Sequence, residues 1–464
     1  MNIKLFRNDP QFYKKVFTIA LPIAMQSMIT IGVNMLDNIM VGQLGEHALS
    51  ATSLANTFIS TYHIFCMGLG MGASVLVSRY WGMKMADDKA KEAERALRQT
   101  ISLMLRITLM FAAVFAVLTL TQPEWVMHLY TKEPQIIELG AVYFRYSVIT
   151  FFFLGASLVS TIVLRCVGQV KLPLFVSIGA FFVNLGANYA FIFGRLGAPR
   201  MEVAGAAIGT LIARVFECSI ICGYLFFKDQ RIAFRIKHLF MSTRTLIPEY
   251  VRICIPVLIS DAILAFGNNA VAMVIGRLGV AFVAANAITS VTQQLSTVLI
   301  QGISQAGAIV TGQTLGMGDR EKTQQQGYQF LGLGFALGTV SAVFIIAISE
   351  RIIGAYSIGP ETIEIARQLM LAISIIIVFQ ATNSIMTKGV LRGGGDTQML
   401  MLTDNVFLWA ISIPLGMIAG FVLHLPAFWI YICLKSDQII KTVWCVFRLR
   451  GGKWIKKIST GVAG

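Results

Sequence analysis

The stretch Val41-Gly42-Gln43-Leu44-Gly45 returns later in the chain as Ile275-Gly276-Arg277-Leu278-Gly279. The same offset pairs Leu21-Pro22 with Ile255-Pro256, Gly68 with Gly302, and Gly82-Met83 with Gly316-Met317. A slightly shorter offset pairs Val163-Leu164-Arg165 and Gly168 with Val390-Leu391-Arg392 and Gly395. Two halves of about 230 residues related in this way describe duplication, and both are apolar enough to live in lipid. A residue present in one copy alone owes nothing to the shared scaffold. The repeat is therefore an internal control as well as a fold signal.

Of 464 residues, 56% are hydrophobic and 13% charged, which excludes an ordinary soluble domain. About twelve apolar stretches have the length a helix needs to cross a bilayer. They lie near 16–38, 52–78, 99–121, 137–163, 172–194, 203–227, 250–275, 284–312, 327–349, 364–388, 400–421 and 427–447. The expected fold is an all-α polytopic membrane protein with about twelve transmembrane helices in two six-helix lobes. The N-lobe covers 1–230, a cytoplasmic linker 231–248, and the C-lobe 249–464 with a basic cytoplasmic tail. Both lobes start on the same side, so a pseudo-twofold axis along the membrane normal relates them.

The formal charge of +15 follows the topology. With the N-terminus in the cytoplasm, Lys4, Arg7, Lys14 and Lys15 lie inside, as does the cluster from Lys84 to Arg98. The linker residues Lys228, Arg231, Arg235, Lys237 and Arg244 join them, as do Arg448, Arg450, Lys453, Lys456 and Lys457 of the tail. Opposite loops carry only Lys132, Arg195, Arg200, Arg277 and Arg351. This is the positive-inside asymmetry, and it leaves no reason to invoke a nucleic-acid partner. Both termini are expected in the cytoplasm. The first apolar run is too long for a signal-peptide core and reads as an uncleaved first span. The seven Cys lie in or beside spans and read as packed small hydrophobes, with no Cys/His cluster at metal-ligand spacing. Residues 83–98, with mixed charges at helical spacing, are expected to form a short surface helix.

Charged and strongly polar residues inside spans are expensive and mark functional sites or buried pairs. Asp37, near the outer end of the first span, has Val271 as its repeat partner. It reads as a proton or Na⁺ site present in one lobe, or as a carboxylate reaching the outer interface. Asn184 and Asn188 share one face of the fifth span at the depth of Asp37, either stapling helices or lining a shared polar cavity. The second span carries Thr52, Asn56, Ser60 and His63 at helical spacing. The eighth repeats the stripe as Asn286, Ser290, Gln294 and Thr297, then adds Gln301 and Ser304. Such stripes face protein or water, so they are helix contacts or the wall of a cleft. His63 is a titrating group or a structural donor. Arg214 and Glu217 read first as a structural ion pair and second as a gate.

Asp261 lies near mid-membrane in the seventh span, and Asp404-Asn405 opens the eleventh. Gln380, Asn383, Ser384, Thr387 and Lys388 make the inner half of the tenth span polar, with Lys388 read as snorkelling to the interface. Pro22 and Pro256, each about a third of the way into the first helix of a lobe, are hinges or fixed kinks.

These residues resemble the multidrug and toxic compound extrusion (MATE) family, within the superfamily that also holds oligosaccharidyl-lipid and polysaccharide flippases. The resemblance covers nearly the whole chain. It is carried by Leu21-Pro22, by Asp37 with Val41-Gly42 and Leu44-Gly45, and by Val390-Leu391-Arg392-Gly393-Gly394-Gly395-Asp396-Thr397, with Gly452-Lys453-Trp454 in the tail. It implies a V-shaped pair of lobes that exports organic cations in exchange for H⁺ or Na⁺. Asp37 matches the family's first-helix acid and Asn184 its fifth-helix amide. Two departures stand out. Asn188 occupies a position where some prokaryotic members have Asp, and Asp261 lies about a turn from where other branches have Glu.

The expected function is secondary antiport: export of amphipathic organic cations by alternating access, with no enzymatic chemistry and no cofactor. The coupling ion is H⁺ or Na⁺, and the one metal expected is Na⁺ near Asp37. The coupling set is Asp37, Asn184, Asn188 and His63. The cleft set is Asn56, Asn286, Gln294, Gln301, Asp261, Gln380 and Asn383. The partners are small cationic solutes and the lipid of a bacterial inner membrane, with the chain acting as a monomer. A lipid-linked oligosaccharide flippase needs a strongly cationic cavity, whereas the cleft candidates are mostly neutral or acidic apart from Arg214. A membrane prenyl-group transferase needs clustered Asp for Mg²⁺-pyrophosphate, and the spans hold no such pair of motifs. A channel is the remaining alternative.

Overall fold

The computed structural model describes residues 9–86, 90–195, 197–356 and 358–456. Lys4, Arg7 and Lys457 of the basic flanks, and Asp87-Asp88-Lys89 of the charged 83–98 stretch, lie outside the described residues. All regular structure among the described residues is helical. That is the arrangement lipid demands of an open-ended chain, because a helix satisfies its own backbone.

The first half forms α1 (Pro10–Gly42), α2 (Glu46–Met85), α3 (Ala90–Thr121), α4 (Pro123–His128), α5 (Pro134–Ser147), α6 (Thr150–Cys166), α7 (Lys171–Phe193) and α8 (Glu202–Gly223). The second half forms α9 (Ile247–Arg277), α10 (Val280–Gly316), α11 (Arg320–Gly354), α12 (Pro360–Ser384), α13 (Thr397–Val406), α14 (Ile413–Met417), α15 (Ala427–Leu434) and α16 (Ser436–Arg450). π-Helical turns follow α8 at Tyr224–Lys228 and α12 at Ile385–Leu391, and flank α14 at Phe407–Ser412 and Ile418–Val422. Pro22 sits inside α1 and Pro256 inside α9, and neither ends its helix.

Both copies of the repeated motif close the same turn. The Leu44 N–H donates to the Val41 carbonyl at 2.9 Å, and the Leu278 N–H to that of Ile275 at 3.1 Å. Gly45 and Gly279 then adopt φ of +111° and +115°, a region glycine enters without steric cost. Their carbonyls accept from Leu49 and Val283, 3.1 Å in each case, and so start α2 and α10.

Ten helices among the described residues are long and apolar enough to cross a membrane, or eleven if α5 and α6, bent by 58°, make one span. The last expected span, 427–447, is divided instead into α15 and α16. The cause is the polar run Lys435-Ser436-Asp437. There the Asp437 N–H leaves the helical ladder and donates to Ser412 Oγ at 2.6 Å. Among the described residues of 83–98, the expected surface helix does not form a separate element. Met83–Met85 extend α2, and Ala90–Arg98 open α3, where Glu94 and Arg98 pair one turn apart.

The chain divides into two compact units. One holds the described residues up to Ala24, those from Ser78 to Ala90, and those from Val251 onward. The other holds Met25–Val77 and Lys91–Tyr250. The helix α1 passes from the first unit to the second just after Pro22.

In the unit containing the second half, α10 is the spine: 72% of its crossing window is buried, the largest share of any span. The tail closes one end of this unit. Trp454 is fully buried, with Nε1 donating to Gln324 Oε1 at 2.9 Å. Arg79 donates to the Lys456 carbonyl at 2.8 Å and to that of Gly394 at 3.2 Å. Arg448 grips Asp396 with two bonds of 2.7 and 2.9 Å, the bidentate geometry that makes such pairs specific.

In the other unit the core is aromatic. Phe58 packs edge-on to Phe144 at 5.6 Å and Tyr62 edge-on to Phe151 at 5.3 Å, the geometry that ring quadrupoles favour. The linker is tied to α3. Gln99 donates to the Ser242 carbonyl at 2.8 Å, Ser102 to Leu239 at 2.9 Å and Arg106 to Met241 at 2.8 Å. His238 Nδ1 accepts the Arg235 N–H at 3.0 Å. Burial, with Arg98, Lys237 and Arg235 nearby, holds its imidazole below the usual histidine pKa, which keeps that acceptor available.

Candidate transport sites

The structure brings Asp37, Asn184 and Asn188 together. Asn188 Nδ2 donates to Asp37 Oδ1 at 2.6 Å, and it also reaches Asn184 Oδ1 at 3.3 Å. Both asparagines are buried, at 4% and 1% exposure. Their meeting needs α7 and α8 in close approach. A Cβ built on Gly209 of α8 would collide with Asn188 Oδ1. That Oδ1 has no hydrogen-bond partner among the described residues. A carboxylate beside buried amide oxygens is a donor set suited to a hard cation or a proton. Asp37 has no ion-pair partner among the described residues. Arg214, the nearby cation, gives Nη1 to Glu217 at 2.7 Å instead.

The other expected members of this region, His63 and Asn56, make no hydrogen bond to this trio among the described residues but share its neighbours Arg214 and Tyr143. The charged neighbour of half-buried His63 is Arg214, and His63 makes no hydrogen bond among the described residues. Asn56 Oδ1 accepts from Tyr143 of α5 at 3.1 Å. Tyr143 escaped the sequence reading because a tyrosine in an apolar stretch gives no sign of where its hydroxyl points. Gln26 is a second such partner: it donates to Ser177 at 2.7 Å and accepts from Arg165 of α6.

The second half places its acids differently. Arg392 Nη2 binds Asp261 Oδ1 at 3.1 Å, with the arginine side chain 5% exposed. Arg165 and Arg392 occupy equivalent repeat positions, and each reaches the first helix of its own half, through a neutral glutamine in one and a carboxylate in the other. Along α10, Asn286 is half-buried while Gln294 and Gln301 are exposed. Gln380 joins a relay: Tyr431 donates to Gln293 Oε1 at 3.2 Å, and Gln293 Nε2 donates to Gln380 Oε1 at 2.8 Å. Asn383 donates to Gln438 at 2.8 Å, and Gln438 donates to Asp437 at 2.6 Å.

Gln380 and Asn383 line one polar cavity of about 180 Å³ in this unit, together with Asp404, Asp437 and three lysines. Lys441 Nζ lies 3.0 Å from Asp437 and 3.4 Å from Asp404, all three side chains being almost fully buried. Lys388 and Lys435 are the other two. The sequence points to Arg214 as the cleft cation and to Lys388 as interfacial; the structure sets Lys388 at this cavity and adds Lys435 and Lys441. The signal was present as Lys435, Asp437 and Lys441 inside one apolar stretch.

A helical membrane body with two polar clusters on different spans defines a polytopic transporter, and the comparisons agree. The MatE family model matches residues 22–190 and 256–436, one stretch in each half. The chain belongs to the MatE family of transporters. It is 26% identical over 471 residues to a protein of Thermotoga maritima named "Probable multidrug resistance protein NorM", covering 98% of this chain and 97% of that one. It is 27% identical over 420 residues to "Multidrug resistance protein PmpM" of Pseudomonas aeruginosa, covering 88% and 84%. In fold it matches a structure described as "Outward-facing conformation of a multidrug resistance MATE family transporter of the MOP superfamily". There the TM-score is 0.83 at 18% identity, over 97% of this chain and 98% of that chain. The chain is thus a multi-pass membrane transporter of that family.

Proposed function

We propose that the transporter is a secondary antiporter that exports amphipathic organic cations across the bacterial inner membrane by alternating access, with H⁺ or Na⁺ entering in exchange. The observation that carries this reading is the state of Asp37: a carboxylate within a span, held by the Asn188 amide, with no ion-pair partner among the described residues. A carboxylate in that setting is stabilised by whichever positive species reaches it. A proton or Na⁺ and a cationic solute therefore compete for the same charge, and competition of this kind couples their movements. Pro22 is the hinge in this reading, in the helix that carries Asp37. The basic flanks support a cytoplasmic location for both termini, and in this reading the unit of transport is the monomer.

The test is uptake of a cationic dye into everted membrane vesicles under separately imposed pH and Na⁺ gradients. One gradient drives uptake in the wild type. Asp37→Asn, with Glu217 and Arg214 intact, lowers driven uptake at least tenfold. Full gradient-driven uptake by Asp37→Asn would refute the assignment.

A further inference from the structure

The connection between α8 and α9 carries a surface that transport chemistry does not use. Residues 228–246 hold five Lys and Arg against one acid, Asp229. That acid is fully buried, with Oδ2 accepting the Ile232 N–H at 2.8 Å. The segment is folded, with Ile232, Phe234 and Leu246 fully buried and the Phe226 and Phe234 rings 5.7 Å apart. Arg235 holds it through backbone carbonyls: Nη1 donates to Phe226, Asp229 and Phe234 at 3.2, 3.1 and 3.1 Å. A carbonyl leaves the guanidinium charge unneutralised. Lys228, Arg235, Lys237 and Arg244 have no ion-pair partner among the described residues, and Lys228, Lys237 and Arg244 are exposed. Burial lowers the His238 pKa, and Arg98, Lys237 and Arg235 lower it further, as expected where the local potential is positive. Beside these cations stand large apolar side chains that the chain leaves uncovered: Phe240 is 80% exposed, Phe227 70% and Ile236 51%. Water is a poor medium for those side chains, and hydrocarbon a poor one for the lysines. The boundary between acyl chains and headgroups suits both. The segment leaves the end of one span at Lys228 and enters the next at Ile247, which sets it at that boundary.

We propose that this face of the linker is a binding site for anionic phospholipids, with Lys228, Lys237 and Arg244 on the headgroup and Phe227, Ile236 and Phe240 in the acyl region. Charge complementarity selects the occupant. Three exposed cations with no exposed acid in 228–246 call for an anion, and the apolar cluster calls for one attached to hydrocarbon. Lipid binding of this kind does not depend on which solute is exported or on the ion that drives it.

The experiment titrates the purified full-length protein in detergent with short-chain phosphatidylglycerol, or with phosphatidylcholine of the same chains, and reads Tm. In the wild type, phosphatidylglycerol reaches its half-maximal effect at a concentration at least about tenfold below that of phosphatidylcholine, a preference that two cations at an anionic surface suffice to supply. Combining Lys228→Gln, Lys237→Gln and Arg244→Gln brings the two concentrations within about threefold of each other. Lys237→Gln alone moves the ratio part of the way, and Lys237→Arg keeps it. A control removes the same charge elsewhere: Lys132→Gln with Arg277→Gln and Arg351→Gln leaves the ratio at its wild-type value. Phe240→Ser raises both concentrations and keeps their ratio, because it removes an acyl contact and no charge. Reading a ratio within each variant separates lipid choice from folding. Equal concentrations for the two lipids in the wild type, or a ratio unchanged in both the triple and the Lys237→Gln variants, overturns the proposal. An equal loss in the control overturns it in favour of net charge alone. Glycerol phosphate acting as strongly as phosphatidylglycerol overturns it in favour of a free phosphate site.

Discussion

Asp37 and Asp261 are both carboxylates on the first helix of a half, and the two halves treat them in opposite ways. Asp37 is held by an amide at 2.6 Å and keeps its charge uncompensated by an ion pair. Asp261 is held by Arg392 at 3.1 Å, so its charge is already answered inside the protein. In the first half the equivalent arginine, Arg165, reaches Gln26, which carries no charge to answer. Duplication supplied the same arginine twice. What differs is where the acid stands relative to it, and the antiport proposed above calls for an acid whose charge is not already answered inside the protein.

The strongest way to break this comparison is to move the acid. Asp37→Asn with Val271→Asp restores the formal charge at the equivalent place in the other half. Its expected neighbours there are Ile411 and Leu415, the repeat partners of Asn184 and Asn188. Driven uptake remains at the Asp37→Asn level, at least tenfold down, because a buried carboxylate without donors is not held ionised. Recovery of uptake would show that any acid in either half suffices.

Next in size is removal of internal pairs. Lys441→Met leaves Asp404 and Asp437 buried without their shared cation, and the expected loss is about 3–5 kcal/mol of stability. It is read as a large fall in Tm in detergent. Asp261→Asn strands Arg392 and costs about 2–4 kcal/mol, the smaller figure because Asp261 is partly exposed. Driven uptake per folded molecule then stays within about threefold of wild type. If Asp261→Asn matched Asp37→Asn in uptake, the distinction between answered and unanswered acids would fail.

Smaller effects sharpen the picture. Gly209→Ala pushes on the Asn188 amide, for an expected cost of about 1–3 kcal/mol and an uptake defect without any change of charge. Gly45→Ala and Gly279→Ala each cost about 1 kcal/mol through backbone strain. Equal shifts in Tm from these two would confirm that the repeated turn is scaffold in both halves.

Much of this was legible from residues alone. The motif around Gly45 and Gly279 gave the duplication, and the helical rise placed Asn184 and Asn188 at the level of Asp37. Three-residue spacing was enough to pair Arg214 with Glu217. The pairs that stayed hidden join residues far apart in sequence: Asp261 with Arg392, and Asp404 with Lys441. Rise along a helix sets depth, but contact also needs the rotational phase of two helices, and no single-helix pattern carries that. The break within the last stretch stayed hidden for another reason. Its hydropathy, averaged over a window, concealed the polar run at Lys435 that ends one helix and begins the next.

The burial of Trp454 has a consequence for biosynthesis. The residues from Pro10 to Ala24 are made long before Trp454 and Lys456, yet they belong to a unit whose closing contacts include the Trp454 indole on Gln324 and the Lys456 carbonyl on Arg79. The nascent chain must therefore hold α1 in the membrane, incompletely packed, until translation has passed α16. Such long-range closure is slow and exposes intermediates. A nonsense codon at Gly452 would leave α1 to α16 encoded, yet by removing Trp454 and Lys456 it would leave that whole unit unlatched and open to membrane proteases.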